Sequence, residues 1–333
     1  MSFIGVLGSK TGVSKDLIDM MPPEAFGACY LELFAGGAGV FFSKEPARIN
    51  VLNDCDPDLT VMYRAIKQDY QAVEAELQSL LDDDSLFHQI VQLRDSAQWE
   101  DLREPLRAAY VIFVLKQSFN SNRMDLASSG KTRSSFNPNL LLAQYATKLE
   151  KAQIRHLNYA KCLDVYLYGS SRTEAFVFAD PPYVVTDRRL HYRFNFHPVE
   201  HIRFWHRMTR LSKANSPKRN VKIMITYDDV PLIRSLYRKD DGWRIQPLRI
   251  GYKSARDSSK FRSEIVITNY CPAEMSAGSP DEPDWSDVPT TAVTMGDVPF
   301  AEFTCCEKER AALICQGKRK GKCRVCGTRV VLQ

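Results

Sequence analysis

The segment CYLELFAGGAGVFFSKEPARINVLND, residues 29–54, sets two short apolar runs on either side of a glycine-rich turn. Residues 29–33 and 48–53 have the length and composition of buried strands, and residues 34–42 enter an apolar helix through Gly36, Gly37 and Gly39. Strand, glycine turn, helix and strand make a βαβ unit, the building block of a parallel sheet. Glycine at such a turn lets the backbone approach a ligand closely, although a tight turn with no ligand would use it too. The second strand ends in Asn53-Asp54. An acidic residue about 20 positions beyond the glycine turn can accept both hydroxyls of a ribose. Asp54 could also cap the helix that begins at Pro57, a role for which Asp56 is better placed.

Beyond Pro57, the apolar residues Leu59, Met62, Tyr63 and Ile66 keep helical spacing. Residues 70–118 stay helical in pattern, with Leu77, Leu80 and Leu81 in one stripe and Leu102, Leu106, Ala109, Tyr110, Phe113 and Val114 in another. Residues 119–138 are polar and basic and predict a long hairpin or loop, with a helix from Leu140 to about residue 151 after it. Strand patterns return at 154–159, 175–179, 221–226, 244–250 and 264–269, with helices at 198–212 and 231–236. Alternating strands and helices predict a parallel α/β sheet. The expected organisation is a catalytic body of residues 1–69 and 151–271, interrupted by a helical insertion at 70–150. Residues 272–300 hold five prolines among acidic and small residues, a linker composition, and 301–333 form a basic, cysteine-rich tail.

The 333 residues are 44% hydrophobic and 26% charged, enough for a sizeable core, which excludes a disordered chain and a disulfide-stapled miniprotein. No apolar run approaches the roughly 18 residues of a membrane span. The first residues have neither the basic start nor the apolar length of a secretion signal, so a cytoplasmic protein is expected. The net charge of +5 is unevenly placed: residues 301–333 carry 8 Lys/Arg against 3 Asp/Glu, and residues 272–300 carry none against 6. A basic body and tail suggest an anionic partner such as nucleic acid. Of nine cysteines, Cys29, Cys55, Cys162 and Cys271 are scattered and read as reduced thiols.

Asp180-Pro181-Pro182-Tyr183 is the most informative tetrapeptide. It follows the apolar run Phe176-Val177-Phe178-Ala179, which puts Asp180 at a strand's carboxyl end, where open α/β sheets bind ligands. Two prolines remove two amide donors and leave carbonyl acceptors. A carboxylate, an acceptor carbonyl and an aromatic ring suit a planar substrate bearing an NH₂ group, the amine donating to the oxygens while Tyr183 stacks on the ring. A rigid turn with an exposed Asp is the plain alternative. Residues 184–197 mix basic and aromatic side chains and read as a lid over substrate and phosphate, or as a solvated loop. The spacing of His191, His197, His201 and His206 is too irregular for a metal site.

In order along the chain, these pieces resemble the Dam-like adenine-N6 DNA methyltransferases. Gly8-Ser9-Lys10 is similar to the family's N-terminal Gly-Gly-Lys segment, with Ser9 in place of one Gly. Glu32 to Phe42 resembles its cofactor loop, with Leu33 where many members carry Pro, and Asn53-Asp54-Cys55-Asp56 its ribose-binding strand end. Phe119-Asn120 and Phe136-Asn137 bracket what would be the DNA-recognition hairpin, and Asp180–Tyr183 would be the catalytic tetrapeptide. Residues 225–229, Leu236-Tyr237 and residues 262–270 resemble C-terminal landmarks.

The resemblance covers about residues 1–271. It implies a Rossmann-like methyltransferase fold, with a mostly parallel seven-stranded sheet, a reversed last hairpin and an inserted DNA-recognition domain at 70–150. It also implies S-adenosylmethionine as cofactor and double-stranded DNA as partner, with no membrane, the protein being monomeric or weakly associating on DNA. Asp180, Pro181, Pro182 and Tyr183 would be catalytic. Lys10, Phe34, Gly36, Gly37, Gly39, Asp54, Asp164 and Asp180 would surround the cofactor. Asn120, Arg123, Lys131, Arg133 and Asn137 would contact DNA.

The acceptor implied is an exocyclic amine, since ring-carbon methylation needs a thiol nucleophile and no Cys lies near the tetrapeptide. Adenine N6 in DNA is the expected target. Cytosine N4 in DNA, adenine N6 in RNA, and an inactive nucleic-acid-binding relative are the rivals. Outside the resemblance, Cys323-Arg324-Val325-Cys326 has the form of a zinc knuckle. Cys315 and one of Cys305 and Cys306, taken as Cys306, would complete four ligands. A basic tail with spare thiols is the alternative.

Overall fold

The structure, a computed structural model, describes residues 10–80, 86–117, 138–168, 173–184, 196–249, 263–272, 293–295, 298–306, 309–314, 320–322 and 329–331. Seven strands form the main sheet: β1 (Cys29–Glu32), β2 (Ile49–Asp54), β3 (Ala152–His156), β4 (Glu174–Ala179), β5 (Asn220–Asp228), β6 (Arg244–Arg249) and β7 (Ser263–Thr268). Their order is β3-β2-β1-β4-β5-β7-β6. β1 pairs in parallel with β2 and β4, β2 pairs in parallel with β3, and β6 and β7 run antiparallel to each other. This is the mostly parallel sheet with a reversed last hairpin that the resemblance implies. Pro247 sits in β6, an edge strand, where a missing ladder donor is tolerated.

The inner strands are apolar because both faces are covered. All four residues of β1 are buried, as are five of the six in β4. The Tyr30 ring stacks on Phe176 across the β1–β4 pair, with centroids 6.0 Å apart. Each such fully buried large side chain contributes roughly 1.5–3 kcal/mol. The strand expected over 154–159 is found at Ala152–His156. It ends early because the Leu157 N–H donates to Asn53 Oδ1, and Asn158 caps the following helix by accepting from the Ala160 N–H at 2.8 Å.

The helices are α1 (Ser14–Asp19), α2 (Glu24–Gly27), α3 (Gly39–Ser43), α4 (Pro57–Gln78), α5 (Leu86–Arg94), α6 (Gln98–Asp101), α7 (Glu104–Gln117), α8 (Pro138–Glu150), α9 (Tyr159–Leu163), α10 (Pro198–Lys213) and α11 (Pro231–Leu236). Asp56 caps α4 by accepting from the Asp58 N–H at 2.9 Å. Leu59, Met62, Tyr63 and Ile66 form its buried face. At Asp69 the backbone leaves helical geometry (φ −155°, ψ 78°), and the Asp69 carboxylate restarts the helix by accepting from the Ala72 N–H. This break falls where the insertion was expected to begin.

By compactness the chain divides into two units. The first comprises Met1–Asp180, Asp187–Phe194 and Ser216–Met224, and the second Pro181–Thr186, Asn195–Asn215 and Ile225–Gln333. Helices α7 and α8 pack on α4 in the first unit. α6 and α7 are tied to α4 by a buried cluster: Asp58 Oδ1 accepts from Trp99 Nε1 at 2.7 Å and from Arg107 at 3.1 Å, and Arg107 also pairs with Glu100.

Towards the end of the chain, β8 (Val293–Met295), β9 (Val298–Cys306) and β10 (Glu309–Ile314) form a three-stranded antiparallel sheet, and β11 (Lys320–Lys322) pairs with β12 (Arg329–Val331). These strands lie within the stretches expected as an acidic, proline-rich linker (272–300) and a basic, cysteine-rich tail (301–333). Val293, Val298, Phe300 and Phe303 are strand-forming residues, and that local preference sets in before the proline-rich stretch ends.

Candidate active site

Strand order locates the site. β2 and β3 lie on one side of β1 and β4 on the other, so the chain reverses direction of travel across the sheet between β1 and β4. Open α/β sheets bind ligands beyond the carboxyl ends of the strands at such a switch point. The glycine turn leaves β1 there and Asp180 leaves β4 there.

The turn is sewn to its neighbours. The Leu33 N–H donates to Phe178 O at 3.0 Å and the Ala35 N–H to Asn53 O at 2.8 Å. The Asn53 side chain, fully inside, donates to Leu33 O and to Leu157 O, each at 3.0 Å. Tyr63 reaches from α4 to donate to Gly36 O at 2.6 Å. Gly36 takes a left-handed conformation (φ 49°), and so does Ala38 (φ 47°). Gly37 and Gly39 do not, and Gly39 opens α3. The second left-handed position is therefore held by a residue with a Cβ, at a cost of roughly 1–2 kcal/mol.

Asp54 anchors the turn: its Oδ2 accepts from the Gly36 N–H at 2.8 Å and its Oδ1 from the Asp56 N–H at 2.9 Å. Asp54 and Phe34 are half-buried, and the Phe34 ring lies 5.7 Å from that of Tyr159 on α9. Asp164, also half-buried, opens the π-helical turn Asp164–Tyr168 directly after α9.

Asp180 is 18% exposed and accepts an ion-paired hydrogen bond from Lys10 Nζ at 2.7 Å; Lys10 itself is 5% exposed. The resemblance puts Lys10 beside the cofactor, and in the structure its ammonium lies on the Asp180 carboxylate.

Below the turn is a buried group the sequence reading passed over. Glu32 accepts from Tyr30 OH at 2.7 Å, and burial pushes its carboxyl up to about 8, with the charge of Asp180 adding to the rise. It keeps its proton at neutral pH. Burial also lowers the Lys44 ammonium to about 8; it sits 4.2 Å from the Tyr30 ring centroid. The signal in the sequence was an acidic residue inside a four-residue strand that is otherwise apolar.

In the second unit, Tyr183 OH donates to Glu264 Oε2 at 2.6 Å, and the Val184 N–H donates to Asp228 Oδ1 at 3.1 Å. The Tyr183 ring is tilted 35° against Tyr227, centroids 6.1 Å apart. Tyr227 OH bonds to Nδ1 of His201 at 2.9 Å.

Asn120, Arg123, Lys131, Arg133 and Asn137 lie outside the described residues, as does most of the segment 184–197. Cys306 ends β9, while Cys315, Cys323 and Cys326 also lie outside. Among the described residues, no group of His, Cys, Asp or Glu is arranged to hold a metal ion, and no helix is long and apolar enough to cross a membrane.

Over 253 residues the chain is 23% identical to the DNA N-6-adenine-methyltransferase of Escherichia phage P1. The alignment covers 72% of this chain and 31% of the phage protein, so the chain spans about a third of that relative's length. Residues 7–249 match the family model of the D12 class N6 adenine-specific DNA methyltransferases, and with most of the chain inside that match the protein belongs to this family.

Proposed function

We propose that the protein is a site-specific DNA adenine-N6 methyltransferase, moving a methyl group from S-adenosylmethionine to the amine of an adenine flipped out of the duplex. The observation that carries this is the placement of Asp180 by β4 at the β1/β4 switch point, with the Asp54-anchored glycine turn on the adjacent strand. The family match and the printed name of the phage relative support it.

The residues present suit the cofactor. Asp54, at the end of β2, would accept the ribose hydroxyls. Phe34 and the turn at Gly36 would flank the cofactor, with Gly37 and Gly39 completing the loop, and Asp164 would accept from its adenine amine. When bound, S-adenosylmethionine supplies an electrophilic sulfonium methyl.

Adenine N6 is out of reach inside a duplex, so the base must leave the stack. Tyr183 would replace part of the lost stacking, worth roughly 1–3 kcal/mol per base. Asp180 and the Pro181 carbonyl would accept the two amine hydrogens, draw the nitrogen toward sp³ geometry and free its lone pair for direct attack. Pro181 and Pro182 bring no amide donors to compete for those acceptors. Lys10 holds the Asp180 carboxylate in one orientation. Positioning of this kind supplies roughly 7–11 kcal/mol of barrier reduction.

Residues 70–150 would read the DNA sequence through Asn120, Arg123, Lys131, Arg133 and Asn137. The protein would act in the cytoplasm, as a monomer or a weak associate on DNA. Incubation of the full chain with tritiated S-adenosylmethionine and adenine-unmethylated plasmid DNA, followed by digestion to nucleosides, tests the reading. Label in N6-methyldeoxyadenosine is expected. Label in N4-methyldeoxycytidine, or transfer to RNA alone, would refute it.

A further inference from the structure

Glu264 is a buried carboxylate on β7, 6% exposed, and the mechanism above gives it no role. Its Oε2 accepts the Tyr183 hydroxyl at 2.6 Å. A phenolic oxygen lies on the Cβ–Cγ axis of its own ring. A bond at that oxygen fixes where the ring points and leaves rotation about the axis free. The second constraint comes from Tyr227, whose ring lies 6.1 Å from that of Tyr183. Tyr227 is completely buried, bonded to the equally enclosed His201 and packed on Tyr237 at 6.5 Å, which in turn packs on Trp243 at 5.1 Å. One group therefore sets the direction of the Tyr183 ring and the other sets its face, both from within the same compact unit.

Burying a carboxylate costs several kcal/mol unless it is well bonded. The Tyr183 hydroxyl supplies such a bond, and a carboxyl oxygen accepts from a phenol whether or not the group carries its proton.

We propose that Glu264 is a positioning residue for methyl transfer, aiming the Tyr183 ring as the platform on which the extruded base stacks. This rests on the reading of Tyr183 as the stacking residue. Four full-length variants test it: Glu264→Gln, Glu264→Ala, Tyr183→Phe, and Tyr183→Phe combined with Glu264→Gln. Each is assayed for kcat and KM on adenine-unmethylated plasmid DNA, and for cofactor affinity by calorimetry.

Glu264→Gln should lower kcat about tenfold, the loss of part of one base–aromatic stack, with cofactor affinity unchanged. Glu264→Ala should lower it further. In the Tyr183→Phe background Glu264→Gln should add nothing, because the bond it weakens is already gone. An equal fall in both backgrounds, or an unchanged kcat, overturns the proposal. The near-isosteric Gln variant keeps the test open should the Ala variant fail to fold.

The contact is followed separately by NMR of protein carrying ¹³C at the tyrosine Cζ, the Tyr183 signal being assigned by its loss in Tyr183→Phe. It should shift in Glu264→Gln, and an active enzyme in which it does not move overturns the proposal alone. A wild-type protein that transfers no methyl group overturns the reading on which the proposal rests.

Discussion

Replacing Asp54 tests the site at its anchor. Its two oxygens accept from the Gly36 and Asp56 N–H groups at 2.8 and 2.9 Å, and the proposed ribose hydroxyls would bond to the same carboxylate. Asp54→Ala removes both. A hydrogen bond to a charged acceptor contributes roughly 1.5–3 kcal/mol, so losing one net ribose bond weakens cofactor binding about 10- to 100-fold. The turn also loses the clamp on its left-handed residue, which adds an ordering cost on binding. Because Asp54 is half-buried, water can replace it at the two amides, and the loss of fold stability should be only about 1 kcal/mol. Asp54→Asn is the sharper variant. An amide offers one acceptor oxygen and one NH₂, so one of the two backbone N–H groups would face a donor. Asn should therefore bind cofactor nearly as poorly as Ala. Calorimetric titration with S-adenosylmethionine, with thermal melts as the folding control, checks this. Wild-type affinity in Asp54→Asn would refute the reasoning, because it would mean that neither the clamp nor the charge matters.

Asp180→Ala should leave cofactor affinity within a few-fold of wild type and abolish transfer in a filter assay with labelled cofactor, since the amine's acceptor is gone. Asp58→Ala strips the buried Arg107 and Trp99 of a shared partner and should cost about 3–5 kcal/mol in denaturant unfolding, as breaking a buried pair does. Glu32 makes stability depend on pH: its folded carboxyl lies at about 8 against an ordinary 4.5, so the folded chain binds the proton more tightly and loses stability as pH rises through that window, by up to about 1.4 kcal/mol per unit. Glu32→Gln should flatten that loss in melts between pH 5 and 8, and an unchanged slope would exclude Glu32 as its source. Arg123→Ala should relax preference at one base position, the expected result of losing a bidentate guanine contact worth roughly 1–3 kcal/mol, whereas a uniform fall on all DNA sequences would make it a phosphate contact.

The amino-acid sequence alone determined the sheet's components. Periodicity and apolar runs are local, so β1, β2, β4, β5 and the α4 stripe could be read directly, and so could the glycine turn, the Asp56 cap and the position of Asp180 at a strand end. Local signals also misled. The strand expected over 154–159 overruns its end, because a buried Asn53 claims Leu157 and a helix cap claims Asn158. The glycines marked the turn without showing that Ala38 would carry its second left-handed residue. Only the tertiary structure decided the partners. Lys10 meets Asp180 across 170 residues and Tyr183 meets Glu264 across 81. Such pairings follow from strand order, which places β1 between β2 and β4 and β7 between β5 and β6, and no residue spacing encodes that order. The proton on Glu32 has the same origin. Its charge is disfavoured by the burial that the packed sheet imposes, and burial belongs to the assembled fold rather than to any segment of the chain.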